Sequence, residues 1–259
     1  MRRVEGERVG RRLAAELLAA CEAALAEGPT GHAGGIVGAY IHGSLAHGGY
    51  VPGHSDVDVL VVVDGPLMVA QRMSVLRALN AIAPATRRRF DLTIVTAETA
   101  SRATRRPTAE VYYGVHGGSP EIVIADHLPS LVVEFSAMRQ GAEVLVGLPP
   151  ATLIAEQPTE WIDERGLELL DRWSGVTDDA AHAGLMVLIA CQIWRWAVER
   201  RHVSKDEAGR WVLEHDPALN AVEAALAQRG GDESRSMSPG DIRRVLDRAR
   251  GAADRPRSA

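Results

Sequence analysis

The chain has 259 residues, 46% of them apolar and 24% charged, a composition that supports a packed core and argues against a disordered or fibrous protein. At about 100 to 200 residues per domain, the length accommodates one large or two small domains. A net charge of -5 and a pI near 6.0 leave no excess of basic residues to neutralise phosphates, which argues against a duplex-DNA partner.

From Glu7 to Glu27 apolar residues recur at helical spacing (Val9, Leu13, Leu17, Leu18, Cys21, Leu25), and Gly28-Pro29 ends the segment. A short, partly β-branched strand from Gly35 to Ile41 follows, then a Gly-rich connection. Val57 to Val63 then has the length and composition of a strand and is closed by Gly65-Pro66. Leu67 to Ile82 reads as a helix, and Phe90 to Thr96 alternates as a strand. Strand, helix and strand in this order predict a mixed α/β sheet covered by helices. Leu128 to Val144 reads as a helix and Gly147-Leu148-Pro149-Pro150 as a break. Beyond it strand signals nearly vanish, and helices are expected over Pro158–Trp173, Asp178–Arg201, Ser204–His215, Pro217–Gln228 and Ser238–Ala252. The predicted fold class is α/β plus all-α. A mixed-sheet domain occupies residues 1–148, a helical bundle domain residues 149–252, and a frayed tail residues 253–259.

Cys21 and Cys191 lie far apart and form no CxxC pair, so neither a disulfide framework nor a zinc site is expected. The segment Met1 to Glu7 is interrupted by acids and lacks the apolar stretch of a secretory signal. The apolar runs Val57–Val63 and Ala183–Trp194 fall short of the ~20 residues that span a bilayer. A soluble, cytoplasmic, monomeric protein with no membrane or nucleic-acid partner is the expectation. Among 29 lysines and arginines Lys205 is the one lysine, a bias that matches a GC-rich genome and singles out the exception.

The stretch that carries chemistry runs from Ile41 to Leu60. A Gly43-Ser44 turn closes one strand, and after a loop Ser55-Asp56-Val57-Asp58 opens the next. Residues i and i+2 of a strand face the same side, so Asp56 and Asp58 project together. Adjacent carboxylates repel unless a cation lies between them, and hard oxygen ligands suit magnesium. Two such ions can clamp a triphosphate during in-line displacement. A third carboxylate, as ligand or base, is available in Asp91 on the next strand, whereas Glu98 stands at odd spacing and faces elsewhere. Gly43 allows phosphate to approach the backbone, and the hydroxyls of Ser44 and Ser55 can donate to it. An isolated Asp-x-Asp commonly marks a solvated strand end; the preceding Gly-Ser turn and the later strand acid distinguish this one. His42, His47 and His54 flank the turn, and none of the nine histidines shows the i, i+4 pairing of a helical zinc site.

These residues resemble the nucleotidyltransferase domain of the DNA polymerase beta superfamily, and more closely the streptomycin/spectinomycin adenylyltransferases, which share a Gly-Ser turn, a Gly-Gly pair and a Ser-Asp-x-Asp strand. Leu145-Val146-Gly147-Leu148-Pro149 resembles the segment between that family's domains. Cys191-Gln192-Ile193-Trp194 and Val203 to Trp211, with its Ser204-Lys205-Asp206, resemble its helical domain. The likeness covers roughly residues 35 to 217. It implies a nucleotidyltransferase domain followed by a helical domain, with ATP and a small hydroxylated, cationic substrate placed in the cleft between them. By position, Asp56 and Asp58 hold two magnesium ions, Asp91 is the base on the acceptor hydroxyl, and Lys205 reaches the triphosphate. The family's base is a glutamate, one methylene longer.

Trp173 and Asp178 match family positions that contact the drug. From Glu156 to Asp179 there are eight acids (Glu156, Glu160, Asp163, Glu164, Glu168, Asp171, Asp178, Asp179) against Arg165 and Arg172, either an acidic wall for a polycation or a solvated helix face. The five tryptophans (Trp161, Trp173, Trp194, Trp196, Trp211) all lie in the helical half, and of these Trp173 is the site candidate. Three positions depart from the family: His182 replaces an aspartate and His116 a tryptophan, both on the substrate side, and Gln192 replaces an arginine near the phosphates. The resemblance thus implies AMP transfer from ATP to an aminoglycoside or aminocyclitol hydroxyl with release of pyrophosphate, an antibiotic-resistance activity. Adenylylation of another acceptor, such as a specialised metabolite, and a non-catalytic nucleotide-binding relative remain open alternatives.

Overall fold

The structure, a computed structural model, describes residues 2–26, 35–86, 89–116, 119–232 and 234–254. The chain divides into two compact units, Met1–Pro158 and Thr159–Ala259. The division falls after Pro158, where the sequence reading set it at Leu148. The Gly28-Pro29 helix stop and residues 255–259 of the expected tail lie outside the described residues.

In the first unit the order is α1 (Arg2–Ala26), β1 (Ile36–His42), α2 (Gly43–Ala46), β2 (Val57–Val63), α3 (Val69–Thr86), β3 (Phe90–Thr96), α4 (Ala97–Ala100), β4 (Thr108–Val115), β5 (Glu121–His127), α5 (Leu131–Gly141), β6 (Glu143–Gly147) and α6 (Pro150–Leu153). The six strands form one mixed sheet in the order β5-β4-β3-β2-β1-β6. Only β2 and β3 pair in parallel, joined through α3; the other neighbours are antiparallel.

The apolar run of β2 is unbroken because both its faces are covered. Val57, Val59, Val61 and Val63 join Leu13, Leu17 and Cys21 of α1 and Val75 and Leu79 of α3 in one core. Leu60 and Val62 turn the other way, to Tyr40, Val95 and the α5 residues Leu131, Phe135 and Met138. Each such side chain, fully buried, contributes about 1.5 to 3 kcal/mol.

Three strands were not anticipated. β4 and β5 lie between the expected elements Phe90–Thr96 and Leu128–Val144, and β5 is an edge strand whose residues are exposed apart from a half-buried Val123, so no burial pattern marks it. The expected helix over Leu128–Val144 is shorter. α5 stops at Gly141, and Glu143 to Gly147 form β6 along the edge of β1. Five residues are too few for a period of 2 to stand out against a preceding helix.

The second unit holds α7 (Thr159–Ser174), α8 (Ala183–Glu199), α9 (Lys205–His215), α10 (Asn220–Arg229) and α11 (Pro239–Ala253). α8 is its axis and packs against the other four, and it is accordingly apolar around much of its circumference. Val187, Leu188 and Cys191 of α8 meet Leu170, Trp211, Val212, Val222 and Leu246 in its core. α8 starts at Ala183 rather than Asp178, because residues 175–182 are turns. Among the described residues, no helix is long and apolar enough to cross a membrane.

Candidate active site

The parallel register of β2 and β3 sets Asp58 directly beside Asp91. Alternation along each strand turns both to the face shared by Leu60, Val62 and Val95. Asp56 stands in the loop just before β2. On the other side of β2, His42 of β1 pairs with Asp58, and the chain then enters α2 through Gly43 at φ +62°. A Cβ on Gly43 would collide with Asp58 Oδ2. Ser44, the next residue, has a buried hydroxyl with no hydrogen-bond partner. Ser55 Oγ accepts a hydrogen bond from Val51 N at 3.0 Å and fastens the loop that carries Asp56.

Burial, then the charges of Asp58 and Asp56, and then Glu134 and Glu121, push the Asp91 carboxyl up to about 8. Its Oδ1 is buried without a hydrogen-bond partner. An oxygen with no donor, crowded by carboxylates, is the environment a cation relieves. Glu134, on α5, is itself held above the usual carboxylate range by burial.

Two cationic or potentially cationic groups reach these acids. Arg89 Nε lies 2.6 Å from Asp56 Oδ1. The His116 ring lies between two of the acids, with Nδ1 3.7 Å from Asp56 Oδ2 and Nε2 3.4 Å from Asp91 Oδ1, and Tyr112 Oη is 3.3 Å from the same Nε2. Gly114 makes the room: a Cβ there would lie 2.8 Å from His116 Nε2 and 2.9 Å from Asp91 Oδ1. Asp56, Asp91 and His116 each offer a donor atom within 4.8 Å of the others, among the described residues the one such trio. The oxygen donors fit a hard divalent cation.

Sequence reasoning missed Arg89, Gly114, Tyr112 and Glu134. A glycine inside a strand is a signal of close approach and could have pointed to Gly114; the others carry no local mark. Glu98, beyond the opposite end of β3, is exposed and paired with Arg102 at 2.7 Å.

The other candidates belong to the second unit. Lys205 opens α9 behind Ser204, whose hydroxyl caps the helix by accepting from Glu207 N at 3.2 Å. Gln192 Nε2 donates to the Val203 carbonyl at 2.6 Å, so its amide is engaged in holding the turn before α9. Trp173 is partly buried against the helical core. Asp178 is exposed in the turn after α7. His182, at the N-cap of α8, has Nδ1 2.7 Å from Asp179 Oδ2.

The acidic strip is less bare than its composition implies. Asp163 accepts from Trp196 Nε1 at 3.0 Å and pairs with Arg200, Glu168 pairs with Arg165, and Asp171 pairs with Arg250.

Residues 31–106 match the family described as the nucleotidyltransferase domain. The aminoglycoside (3'')(9) adenylyltransferase of Escherichia coli is 27% identical over 220 residues, spanning 80% of this chain and 82% of the relative. The enzyme of the same name from Klebsiella pneumoniae is 27% identical over 218 residues, spanning 78% and 82%. The crystal structure of the spectinomycin adenyltransferase AAD(9) from Enterococcus faecialis with ATP and spectinomycin superposes with a TM-score of 0.68 at 18% identity, covering 85% of this chain and 92% of that one, which establishes the shared fold. The chain therefore carries a nucleotidyltransferase domain, is a homologue of the aminoglycoside (3'')(9) adenylyltransferases, and is an enzyme of the nucleotidyltransferase type.

Proposed function

We propose that this enzyme transfers AMP from ATP to a hydroxyl of an aminoglycoside or aminocyclitol and releases pyrophosphate. The observation that carries the reading is the register that sets Asp58 beside Asp91, in a chain whose relatives are named for adenylyl transfer to aminoglycosides. The solved neighbour with ATP and spectinomycin supports ATP as co-substrate.

Asp56 and Asp58 would hold magnesium, two ions in the full site. When bound, such ions polarise a phosphoryl oxygen and offset the charge that develops on it. Asp91 takes the proton of the acceptor hydroxyl, whose oxygen bonds to the α-phosphorus as the bond to pyrophosphate breaks. Burial, the first cause of the raised Asp91 pKa, makes its carboxylate a stronger base than an exposed one. The bare Cα of Gly43 and the hydroxyls of Ser44 and Ser55 receive phosphate oxygens, and Lys205 contributes an ammonium to the triphosphate. Trp173, Asp178 and His182 contact the acceptor.

A second reading keeps the reaction and changes the acceptor. It is favoured by His182 and Asp179, which are paired with each other, and by the three acids of the strip already engaged by arginines. A pyrophosphate-release assay with ATP and Mg2+ over a panel of acceptors decides. Release with streptomycin or spectinomycin supports the first reading, and release with another hydroxylated metabolite supports the second. ATP binding without turnover for any acceptor overturns both. Asp58→Asn should reduce turnover by about a hundredfold or more, the scale of losing a principal electrostatic contribution, with the fold retained.

A further inference from the structure

We infer that His116 is a nitrogen ligand to a divalent ion shared with Asp56 and Asp91, and that it biases the site toward manganese over magnesium. The inference rests on the nucleotidyl-transfer reading for its cation but assigns a residue and a metal preference that the reading does not contain.

The donors converge in a specific way. Asp56 has one oxygen, Oδ1, against Arg89 Nε at 2.6 Å, and turns the other, Oδ2, toward His116 Nδ1 at 3.7 Å. Asp91 turns its buried, unpartnered Oδ1 toward His116 Nε2 at 3.4 Å. These separations are long for direct hydrogen bonds, so the imidazole approaches two carboxylates without being fastened to either. Gly114 keeps the space beside Asp91 and His116 open, since a side chain there would meet both. Meanwhile Asp58 Oδ2 packs on the Cα of Gly43. The group within mutual reach of one ion is thus Asp56, Asp91 and His116. A carboxylate has two oxygens, so a metal on Asp91 Oδ1 leaves the second for the acceptor proton.

Ligand type then sets metal preference. Magnesium binds oxygen donors and gives up its waters reluctantly, whereas first-row transition ions gain affinity from a nitrogen donor along a series that begins at manganese, the member that also accepts carboxylates readily. The His116 ring is therefore assigned to the metal rather than to the acceptor.

The test is pulsed electron paramagnetic resonance of the full-length chain loaded with Mn2+ alone. Nitrogen modulation from a directly bound imidazole is expected in the wild type and in samples carrying 15N-histidine should shift to the 15N pattern. His116→Ala should lose it and weaken Mn2+ by about tenfold or more, with a smaller effect on Mg2+. Oxygen-only coordination in the wild type overturns the inference even if pyrophosphate release proceeds normally. If nitrogen coupling is seen but no acceptor is adenylylated, His116 stands as a ligand and the reaction assignment fails. Should His116→Ala not fold, the isotope experiment on the wild type still decides whether histidine binds the ion.

Discussion

Gly43 and Asp58 occupy space that no other residue type at position 43 could share. Gly43 adopts φ +62°, and a Cβ there would overlap Asp58 Oδ2. Two costs follow from Gly43→Ala: a left-handed conformation for a residue with a Cβ, about 1 to 2 kcal/mol, and displacement of a carboxylate that sits across from His42 and beside Asp91. The displacement matters more. Gly43→Ala should lower turnover far more than thermal stability, whereas Gly48→Ala is a control. Gly48 also has positive φ, at +70°, but meets nothing within 4 Å. Pyrophosphate release and thermal melting on both variants check this, and equal losses of activity would contradict it.

The pH dependence of the metal-free protein reads out the same cluster. Burial first, and then the neighbouring carboxylates, push the Asp91 carboxyl up to about 8 in the fold, from an ordinary aspartate value of about 4. Between those values the folded chain holds a proton that the unfolded chain has released. The contribution of this group is full below about 4 and is lost as pH rises through about 8. In chelator-treated protein, stability should therefore fall across that window by more than in Asp91→Asn, which has no such proton to lose. A divalent cation should flatten the slope. Denaturant titrations from pH 5 to 8.5, with and without metal, provide the comparison. A wild-type slope equal to that of Asp91→Asn would remove the cause assigned here.

Much of this site was legible because its residues are local in sequence. Asp56, Asp58 and the Gly43-Ser44 turn lie on one strand-loop-strand connection; alternation gives the face of Asp58, whereas Asp56, expected on the same strand, stands in the loop before it. Asp91 was reachable because β2 and β3 are both marked by dense apolar runs, and their limits, Val57–Val63 and Phe90–Thr96, appear unchanged in the structure. Arg89, Tyr112 and Glu134 were not legible, since each reaches the acids through tertiary packing. His116 was singled out for the acceptor side; that its ring lies beside Asp56 and Asp91 follows from the pairing of β4 with β3, which no local pattern encodes. The edge strands β5 and β6 escaped for a related reason. An edge strand exposed on both faces, as β5 is, needs no apolar alternation. The composition of the 156–179 strip showed eight acids but not that Arg200 and Arg250, distant in sequence, neutralise Asp163 and Asp171.

Away from the acids, Glu110 ties β4 to the start of α3. Its Oε2 accepts from Leu67 N at 3.0 Å and from Arg72 Nε and Nη2 at 3.1 and 2.7 Å, and it is 7% exposed. Removing one partner leaves a half-buried guanidinium and a backbone N–H unpaired. Glu110→Ala should cost about 3 kcal/mol, the scale of breaking a buried pair. Glu110→Gln keeps an acceptor for Leu67 N and should cost less. Urea denaturation gives both values, and a loss for Glu110→Ala below about 1 kcal/mol would place the pair with surface ion pairs.

Lys205 tests whether the exception in an arginine-rich chain is chemical. It is the first residue of α9, beyond the Ser204 cap, and is followed by Asp206, which pairs with Arg229 at 2.8 Å. The Ser204 cap and the Asp206–Arg229 pair set the helix start. Lys205→Ala should therefore leave the melting temperature nearly unchanged. If the ammonium serves the triphosphate, the same substitution should raise the KM for ATP by about tenfold or more, the scale of losing a charge-assisted hydrogen bond. Lys205→Arg should restore this only in part, because a planar fork does not reproduce a compact ammonium with three rotatable donors. With ATP varied at saturating acceptor, an unchanged KM in Lys205→Ala would return the lysine to chance. Full rescue by arginine would show that only its charge is used.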